Sequence, residues 1–211
     1  MLALESTGDT GDIGATVYAA LKAQIEFHGE YTLNDVPPQT LNDMLLAVGC
    51  TELTNACAIL LADVTGTDKL AWGSVVVSPQ LAQVQMSLYD LQRGQMVRQR
   101  THTVPSDRAS MLGESAAVLA RSLLYDDVAS LSVTTVPEGA AVTIGGEDRG
   151  ASPTVARNIA PGIYEVRASR SGYRAETTWV VVDIAAATVE LSLRAEEVAR
   201  DRGRADRGGA A

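Results

Sequence analysis

The sequence predicts an α+β protein, in which an N-terminal α/β sandwich of element order β-α-β-α-β-β-β-α precedes a small all-β sandwich. Two observations lead to this prediction. Up to about residue 125, segments with the apolar spacing of helices alternate with segments that have the spacing of strands. From Leu131 onward, short β-branched runs are separated by turn residues about every 8–12 positions. We therefore expect domains at 1–125 and 131–194, a linker at 126–130 and a polar, disordered tail at 195–211.

Helices are predicted in four parts of the first domain. In the longest, apolar residues recur at helical spacing, as Ile13, Val17, Ala20, Leu21 and Ile25. Two shorter pieces, at 39–49 and 55–66, each end at a glycine, which is a common helix terminus. A last helix is expected over 106–124, with Ser106 as its N-cap.

The strands of the first domain are predicted from β-branched content and from alternation. Short strands are expected at 2–6 and 29–35, and the apolar run 69–77 is typical of a buried strand. Residues 82–91 alternate apolar and polar side chains, and 93–104 continue after an Arg-Gly turn, which predicts a β-hairpin.

The charge distribution argues against nucleic-acid binding. The chain of 211 residues has a formal net charge of −9, and residues 1–130 hold 15 acidic residues against 7 Lys or Arg. An acidic body offers no basic stripe to neutralise phosphates. No stretch reaches the roughly 18 consecutive apolar residues of a membrane span. We therefore expect no nucleic-acid partner, and contact with a membrane only through segments absent from this chain.

Cys50 and Cys57 are the two cysteines, and they lie on either side of a break between two predicted helical pieces. A disulfide here would fasten a helix–loop–helix corner in an oxidising compartment. The alternative is a pair of buried thiols in a reducing one. Two cysteines are too few for a structural zinc site without histidines nearby, so no metal is expected.

Three sequence features imitate catalytic or phosphate-binding motifs. The glycine-rich segment 8–15 lacks the Lys-Ser/Thr of a phosphate loop, so it is interpreted as a turn and helix start. Ser115 stands in a Gly-x-Ser-like run, but inside a predicted helix instead of a strand–turn–helix elbow. Asp63 and Asp68 lack the spacing of a calcium loop and are expected to cap a helix end and a turn.

The remaining candidate residues are histidines and tryptophans. His28 and His102 stand in polar surroundings and are expected to be exposed on the surface. Trp72 and Trp179 lie in apolar strands, where packing is the expected role; Trp179 could instead stack on a carbohydrate from a sandwich face. No catalytic residue and no cofactor site is therefore predicted.

The second domain contains a Pro-Glu-Gly-Ala corner followed by further turn motifs in a fixed order, and each has an architectural reason. Proline fixes φ at the corner, glycine can adopt positive φ, and Pro-Gly is a type II turn pair. Through these motifs, residues 131–194 resemble the PEGA domain family. The motif residues are Pro137, Glu138, Gly139, Ala140, Gly146, Pro153, Pro161, Gly162, Gly172 and Tyr173.

The resemblance to the PEGA family implies an Ig-like β-sandwich without catalytic residues, in a bacterial or archaeal envelope or surface protein. The first domain resembles less closely the amino-terminal α/β domain of the periplasmic protein TolB and of related envelope lipoproteins. Together these predict a non-catalytic, extracytoplasmic binding or scaffolding protein whose partner is an envelope protein or a cell-wall polymer. The alternative is a sensory or accessory region of a larger membrane-anchored system.

Overall fold

The first half of the chain folds around one mixed sheet. The computed structural model describes residues 4–8, 12–34 and 39–196. The elements of the first domain are β1 (Leu4–Thr7), α1 (Ile13–His28), α2 (Leu41–Ala47), α3 (Asn55–Thr65), β2 (Lys69–Val77), β3 (Leu81–Asp90), β4 (Gln95–Pro105), α4 (Ser110–Glu114) and α5 (Ala116–Leu124). The sheet order is β1-β2-β3-β4, with β1 parallel to β2 and the other pairs antiparallel.

Helices pack on both faces of this sheet because its central strands alternate between two apolar sets. Ala71 and Val75 of β2 belong to a core shared with α1, α4 and α5. Leu70 and Trp72 of the same strand pack with α2 and α3 in a second, smaller core on the other face. The two-residue period of the strand thus separates two helical layers.

The second half is a sandwich of two sheets. Its strands are β5 (Ala129–Val136), β6 (Ala141–Ile144), β7 (Glu147–Ala151), β8 (Thr154–Ile159), β9 (Gly162–Ser169), β10 (Glu176–Val182) and β11 (Ala187–Ser192). One sheet has the order β10-β9-β6-β7 and the other β11-β5-β8, in which β11 runs parallel to β5. Alternate residues of β5, such as Leu131 and Val133, are fully buried between the sheets.

The α+β class is confirmed, but individual elements differ from the prediction. Gly29–Asn34 form no strand: Gly29 adopts positive φ and ends α1, and Tyr31 and Leu33 pack irregularly against the first core. The helix predicted over 106–124 is divided into a 3₁₀ turn, α4 and α5, with the break at Ser115. Ser106 is not an N-cap, because its hydroxyl donates a hydrogen bond to Pro79 O at 2.7 Å.

The boundary between the two domains contains ordered structure. Strand β5 begins at Ala129, within the segment 126–130 that the sequence suggested as a linker. At the far end, Ala195 forms a β-bridge with Tyr173, and Glu196 N donates to Gly172 O at 2.9 Å. The rest of the predicted tail, 197–211, lies outside the described residues.

Candidate functional site

A cleft of about 650 Å³ opens in the first domain, between the end of α1 and the start of β2. It is lined by both polar and apolar side chains, since the irregular segment after α1 meets the turn that joins α3 to β2. The polar lining residues that bear on its chemistry are Glu30, Tyr31, Asn34, Thr67, Asp68 and Lys69.

Several polar groups of this cleft are already engaged in structural contacts. The Asn34 amide donates to Thr65 O, and Asp68 accepts a hydrogen bond from Gln92. Lys69 Nζ lies 3.1 Å from Asp90 Oδ2. These contacts connect the turn before β2 to the preceding segment and to the end of β3, so they hold the wall of the cleft in shape.

Asp90 is a buried carboxylate at the end of β3. The Arg93 backbone N–H donates to its Oδ1 at 2.9 Å; this bond is the first cause that lowers the pKa of Asp90, Lys69 lowers it further, and desolvation acts in the opposite direction. Hydrogen bonds to the charged form keep a carboxylate ionised. Asp90 therefore stays ionised and anchors the β3–β4 turn.

The two domains are in contact through residues of β4, α5, β9 and β10. Ile163 of β9 and Trp179 of β10 pack against the first-domain core, instead of the sandwich core. Trp179 is half-buried against the first domain, and stacking on a carbohydrate stays a prediction. We call this interface, formed by Ile163, Trp179 and Gly162 of the second domain with His102 and α5 of the first, the junction.

His102 of β4 is buried in the junction, which corrects the expectation of a surface histidine. A Cβ built on Gly162 would lie 2.6 Å from His102 Cε1, so the ring is in close contact with the β9 backbone. Burial, and to a smaller extent the nearby Arg100, lowers the pKa of His102 to about 4. The imidazole is therefore neutral at physiological pH.

Two arginines of β4 fasten the carboxyl end of α5 beside the junction. Arg98 Nη1 donates to Leu123 O at 2.6 Å, and Arg100 Nε donates to Ser122 O at 3.1 Å. Cations at a helix C-terminus satisfy free carbonyls and complement the helix dipole. Arg98 also pairs with Asp126 at 2.5 Å, which holds the start of the interdomain segment.

Cys50 and Cys57 form a disulfide with a Cα–Cα distance of 6.2 Å. Cys57 lies in the first turn of α3, where Thr54 is the N-cap and accepts a hydrogen bond from the Cys57 N–H. The covalent bond ties this turn to the loop after α2.

The Pro-Glu-Gly-Ala corner is held by buried hydroxyl groups. Thr135 Oγ1 donates to Pro137 O at 2.7 Å and is hydrogen-bonded to Ser152 Oγ. Gly139, at a φ of 82°, donates its N–H to Ser152 O at 3.0 Å. The peptide bonds before Pro137 and Pro153 are both cis. The corner is thus fastened to the connection between β7 and β8.

The other motif residues occupy turns and rims of the sandwich. Gly146 and Gly172 adopt positive φ, and the guanidinium of Arg170 lies 5.7 Å from the ring centroid of Tyr173. The Tyr173 ring packs against the sandwich core. Pro161 is buried and directly precedes Gly162 at the junction.

The structure does not bring the other candidate residues together as a site. Ser115 is buried at the break between α4 and α5, and Asp63 is exposed on α3. His28 contacts the Tyr125 ring, with centroids 4.6 Å apart. Of the segment 8–15, residues 9–11 lie outside the described part; Asp12 is the N-cap of α1 but makes no side-chain capping bond.

A protein-family model describes part of this architecture: residues 128–198 match the model of the PEGA domain. The second domain therefore matches the PEGA family, and we refer to it as the PEGA domain. The match begins one residue before β5 and includes the clamped corner, the junction glycine and the rim tyrosine. No curated protein matches the chain.

Solved structures that resemble this chain include the following three proteins. The LpoB C-terminal domain from Salmonella enterica shares 19% identity over 49% of this chain and 77% of that chain, with a TM-score of 0.33. Lipoprotein GNA1162 from Neisseria meningitidis shares 13% over 59% and 96%, with a TM-score of 0.34. TolB from Acinetobacter baumannii shares 14% over 84% and 56%, with a TM-score of 0.36. At these TM-scores the likenesses assign no function.

The described residues contain neither a helix that could span a membrane nor a cluster of metal ligands. None of the helices in this part of the chain has both the length and the apolar character required to cross a bilayer. The same part contains no group of three or more His, Cys, Asp or Glu residues placed to hold a metal ion.

Sequence reasoning missed the junction. Its contributors include a histidine of β4, with two arginines of the same strand beside it, and two apolar residues from the outer face of the PEGA domain. Arg98, Arg100 and His102 follow one another at every second position, which places them on one side of the strand. That spacing predicts that the three side chains share one side of β4, but it does not predict which part of the protein packs against them.

Proposed function

We propose that this protein is a non-catalytic binding or scaffolding module of the bacterial cell envelope. In this proposal the PEGA domain and the α/β domain act as one unit. The unit presents binding surfaces at fixed relative positions, and its partner is an envelope protein or a cell-wall polymer.

The junction is the observation that carries the proposal. Ile163 and Trp179 bury apolar surface in the core of the other domain, and Gly162 permits close contact with His102. Domains linked by flexible segments move independently unless the interface between them is substantial and apolar. The contact is apolar and closely packed, and the Arg98–Asp126 ion pair holds the start of the segment between the domains. Both features favour a fixed arrangement of the two domains, which a scaffold requires.

The surroundings of Asp90 and His102, neither of which lines the cleft, support binding over catalysis. A catalytic carboxylate or histidine needs a tuned pKa and access to substrate. Asp90 is instead held ionised by a backbone N–H and by Lys69, and the pKa of His102 is lowered in the closed junction. Both groups have structural partners or surroundings that explain their shifts.

An extracytoplasmic location is supported by the disulfide and by the PEGA domain. Disulfides persist in oxidising compartments and are rare in a reducing cytosol. The Cys50–Cys57 bond, combined with a domain type that the sequence resemblance associates with envelopes, points to the periplasm or outer envelope.

Gene replacement in the source organism tests the proposal. A flexible Gly-Ser insertion between Asp127 and Val128 should separate the domains without altering either core. We expect the variant to be found in the envelope fraction at normal abundance but to fail to complement a deletion. The same insertion at the surface turn after Gly145 is the matched control and should complement. Full complementation by the junction insertion, or location of the intact protein in the cytosol, would contradict the proposal.

A further inference from the structure

Helix α3 is apolar on both its inner and its outer face. Ala58 and Leu61 of its inner face are fully buried in the smaller core. On the outer face, Ile59, Leu60 and Val64 are 57%, 46% and 69% exposed. A helix that is hydrophobic all round is normally covered on every side. We call the outer face, formed by Ala56, Ile59, Leu60 and Val64, the α3 patch.

The α3 patch has the geometry of a helix-docking surface. Ala56, Leu60 and Val64 follow one another at four-residue intervals and therefore form one stripe, with Ile59 beside it. At about 1.5 Å per residue, the stripe is roughly 12 Å long, which matches two turns of a partner helix. Leu46 of neighbouring α2 is a further exposed apolar side chain, at 64%.

The charge around the α3 patch indicates the chemistry of the partner. No lysine or arginine occurs between Lys22 and Lys69. The described residues of α2, α3 and their connections carry Asp43, Glu52, Asp63 and Asp68 instead. Asp63 lies on the exposed side of α3 itself, beside Val64. Lys69 and Arg93 also lie close to this corner, but both pair with Asp90, at 3.1 and 3.9 Å. An apolar stripe in a region of net negative charge complements a partner whose apolar residues are flanked by Lys or Arg.

The same charge disfavours the other possible occupants. A second copy would bring its own acidic α3 patch against this one, and like charges in apposition are costly. An anionic lipid surface would also be repelled. The chain's own segment 197–211 carries arginines but almost no bulky apolar residues, so it lacks anchors for the stripe.

The disulfide prepares the α3 patch for binding. Cys57 joins the first turn of α3 to Cys50, Thr54 caps that turn, and Gly66 ends the helix. A surface that is already ordered loses less conformational entropy when a partner binds. The corner therefore presents the stripe in one conformation.

From these observations we infer that the α3 patch binds a basic amphipathic helix of a partner protein. The inference rests on the proposed binding function and names the chemistry of one partner segment. Recognition would combine apolar anchors at helical spacing with flanking Lys or Arg that face Asp63 and its acidic neighbours.

Fluorescence anisotropy tests the inference with the full chain and a designed, labelled helical peptide. The peptide has leucines at helical spacing flanked by lysines; a second peptide has glutamates in place of the lysines. We expect saturable binding of the lysine peptide that weakens with salt, and at least roughly tenfold weaker binding of the glutamate peptide. Equal binding of both peptides, or no binding of the lysine peptide, would overturn the inference.

Surface variants test whether the lysine peptide binds at the α3 patch. The double variant Leu60→Gln, Val64→Gln should reduce affinity for the lysine peptide by roughly tenfold or more, since anchors dominate helix docking. Val155→Gln, at an exposed valine of β8, is the matched control and should bind normally. Circular dichroism of each variant confirms that it is folded. Equal losses in both variants would contradict the assignment.

Two more measurements exclude the competing occupants. Sedimentation velocity should show that Leu60→Gln leaves the oligomeric state unchanged, and flotation with anionic phosphatidylglycerol vesicles should leave the protein unbound. Dimerisation that Leu60→Gln abolishes, or co-flotation that it abolishes, would replace the inference with a second copy or a membrane. If the peptide fails to bind while the junction insertion still abolishes complementation, the inference fails and the proposed function stands.

Discussion

The backbone of Gly162, in the PEGA domain, lies against the imidazole ring of His102, in the α/β domain. A Cβ at position 162 would be 2.6 Å from His102 Cε1 and 3.2 Å from Nδ1. The contact is therefore possible because residue 162 has no side chain. It places the first residue of β9 directly against edge strand β4. Gly162 of the Pro-Gly pair therefore serves this packing contact as well as the turn.

Gly162→Ala should destabilise the protein by overpacking the junction. The backbone of Gly162 is not in the positive-φ region, so the penalty would come from the clash with His102. Overpacking a closed site costs about 1–3 kcal/mol in the free energy of unfolding. Chemical denaturation of the purified full chain measures it. Gly113→Ala is the matched control, because nothing lies within 4 Å of its new Cβ, and it should be neutral or slightly stabilising.

A double-mutant cycle tests whether the loss of stability in Gly162→Ala comes from the contact with His102. In a His102→Ala background the space for a methyl group exists, and the penalty of Gly162→Ala should largely disappear. Equal penalties in the two backgrounds would show that the destabilisation arises elsewhere.

The stability of the protein should depend on pH through His102. Its pKa is about 4 when folded and near 6.5 when unfolded, so between these values the unfolded chain binds more protons. The free energy of unfolding should therefore fall as the pH is lowered from 6.5 to 4, by up to about 3 kcal/mol from this residue. Below pH 4 both states are protonated and the difference is constant.

Comparison of variants isolates this dependence from the carboxylates that titrate in the same range. Unfolding curves of His102→Gln should lose the slope between pH 6.5 and 4 relative to the wild type. His28→Gln, which removes the exposed histidine, should retain it. An unchanged slope in His102→Gln would show that its imidazole is not buried as the structure has it.

Loss of the disulfide should loosen the α2–α3 corner. The double variant Cys50→Ala, Cys57→Ala removes the constraint on a short loop, which corresponds to about 2–3 kcal/mol of unfolding free energy. Hydrogen exchange should accelerate in α2 and α3, whereas the PEGA domain should be unaffected. Two free thiols in denatured, unreduced protein purified from an oxidising compartment would contradict the bond itself.

Thr135→Val should weaken the PEGA corner while preserving side-chain shape. The substitution removes the bond to Pro137 O and leaves the buried Ser152 hydroxyl without this partner. Such a loss costs about 1–3 kcal/mol. Thr134→Val, on the neighbouring and less buried position of β5, is the control and should cost far less in thermal or chemical unfolding. Equal losses of stability in both variants would show that the Thr135 hydroxyl has no special role in the corner.

The elements predicted well from the sequence were those specified locally. The hairpin of β3 and β4 followed from the two-residue alternation, and the PEGA family followed from turn residues whose backbone demands are local. The strand expected over 29–35 was predicted from the alternation of Tyr31 and Leu33. Gly29 instead ends α1, and the described residues after it pack against the core without pairing to the sheet.

The junction and the α3 patch required the three-dimensional structure. Gly162, which packs against His102, lies 60 positions later in the chain, and no local sequence pattern predicts that contact. The outer residues of α3 looked like core residues because apolar residues occur on both faces of the helix; in the described part of the chain, nothing covers their side. Long-range packing decided both outcomes.

Residual dipolar couplings of the full chain measure whether the two domains form one fixed unit, because they report the orientation of each domain in one alignment medium. We expect couplings from the α/β domain and from the PEGA domain to fit a single alignment tensor, and the Gly-Ser insertion to yield two different tensors. Two different tensors in the wild-type protein would contradict it.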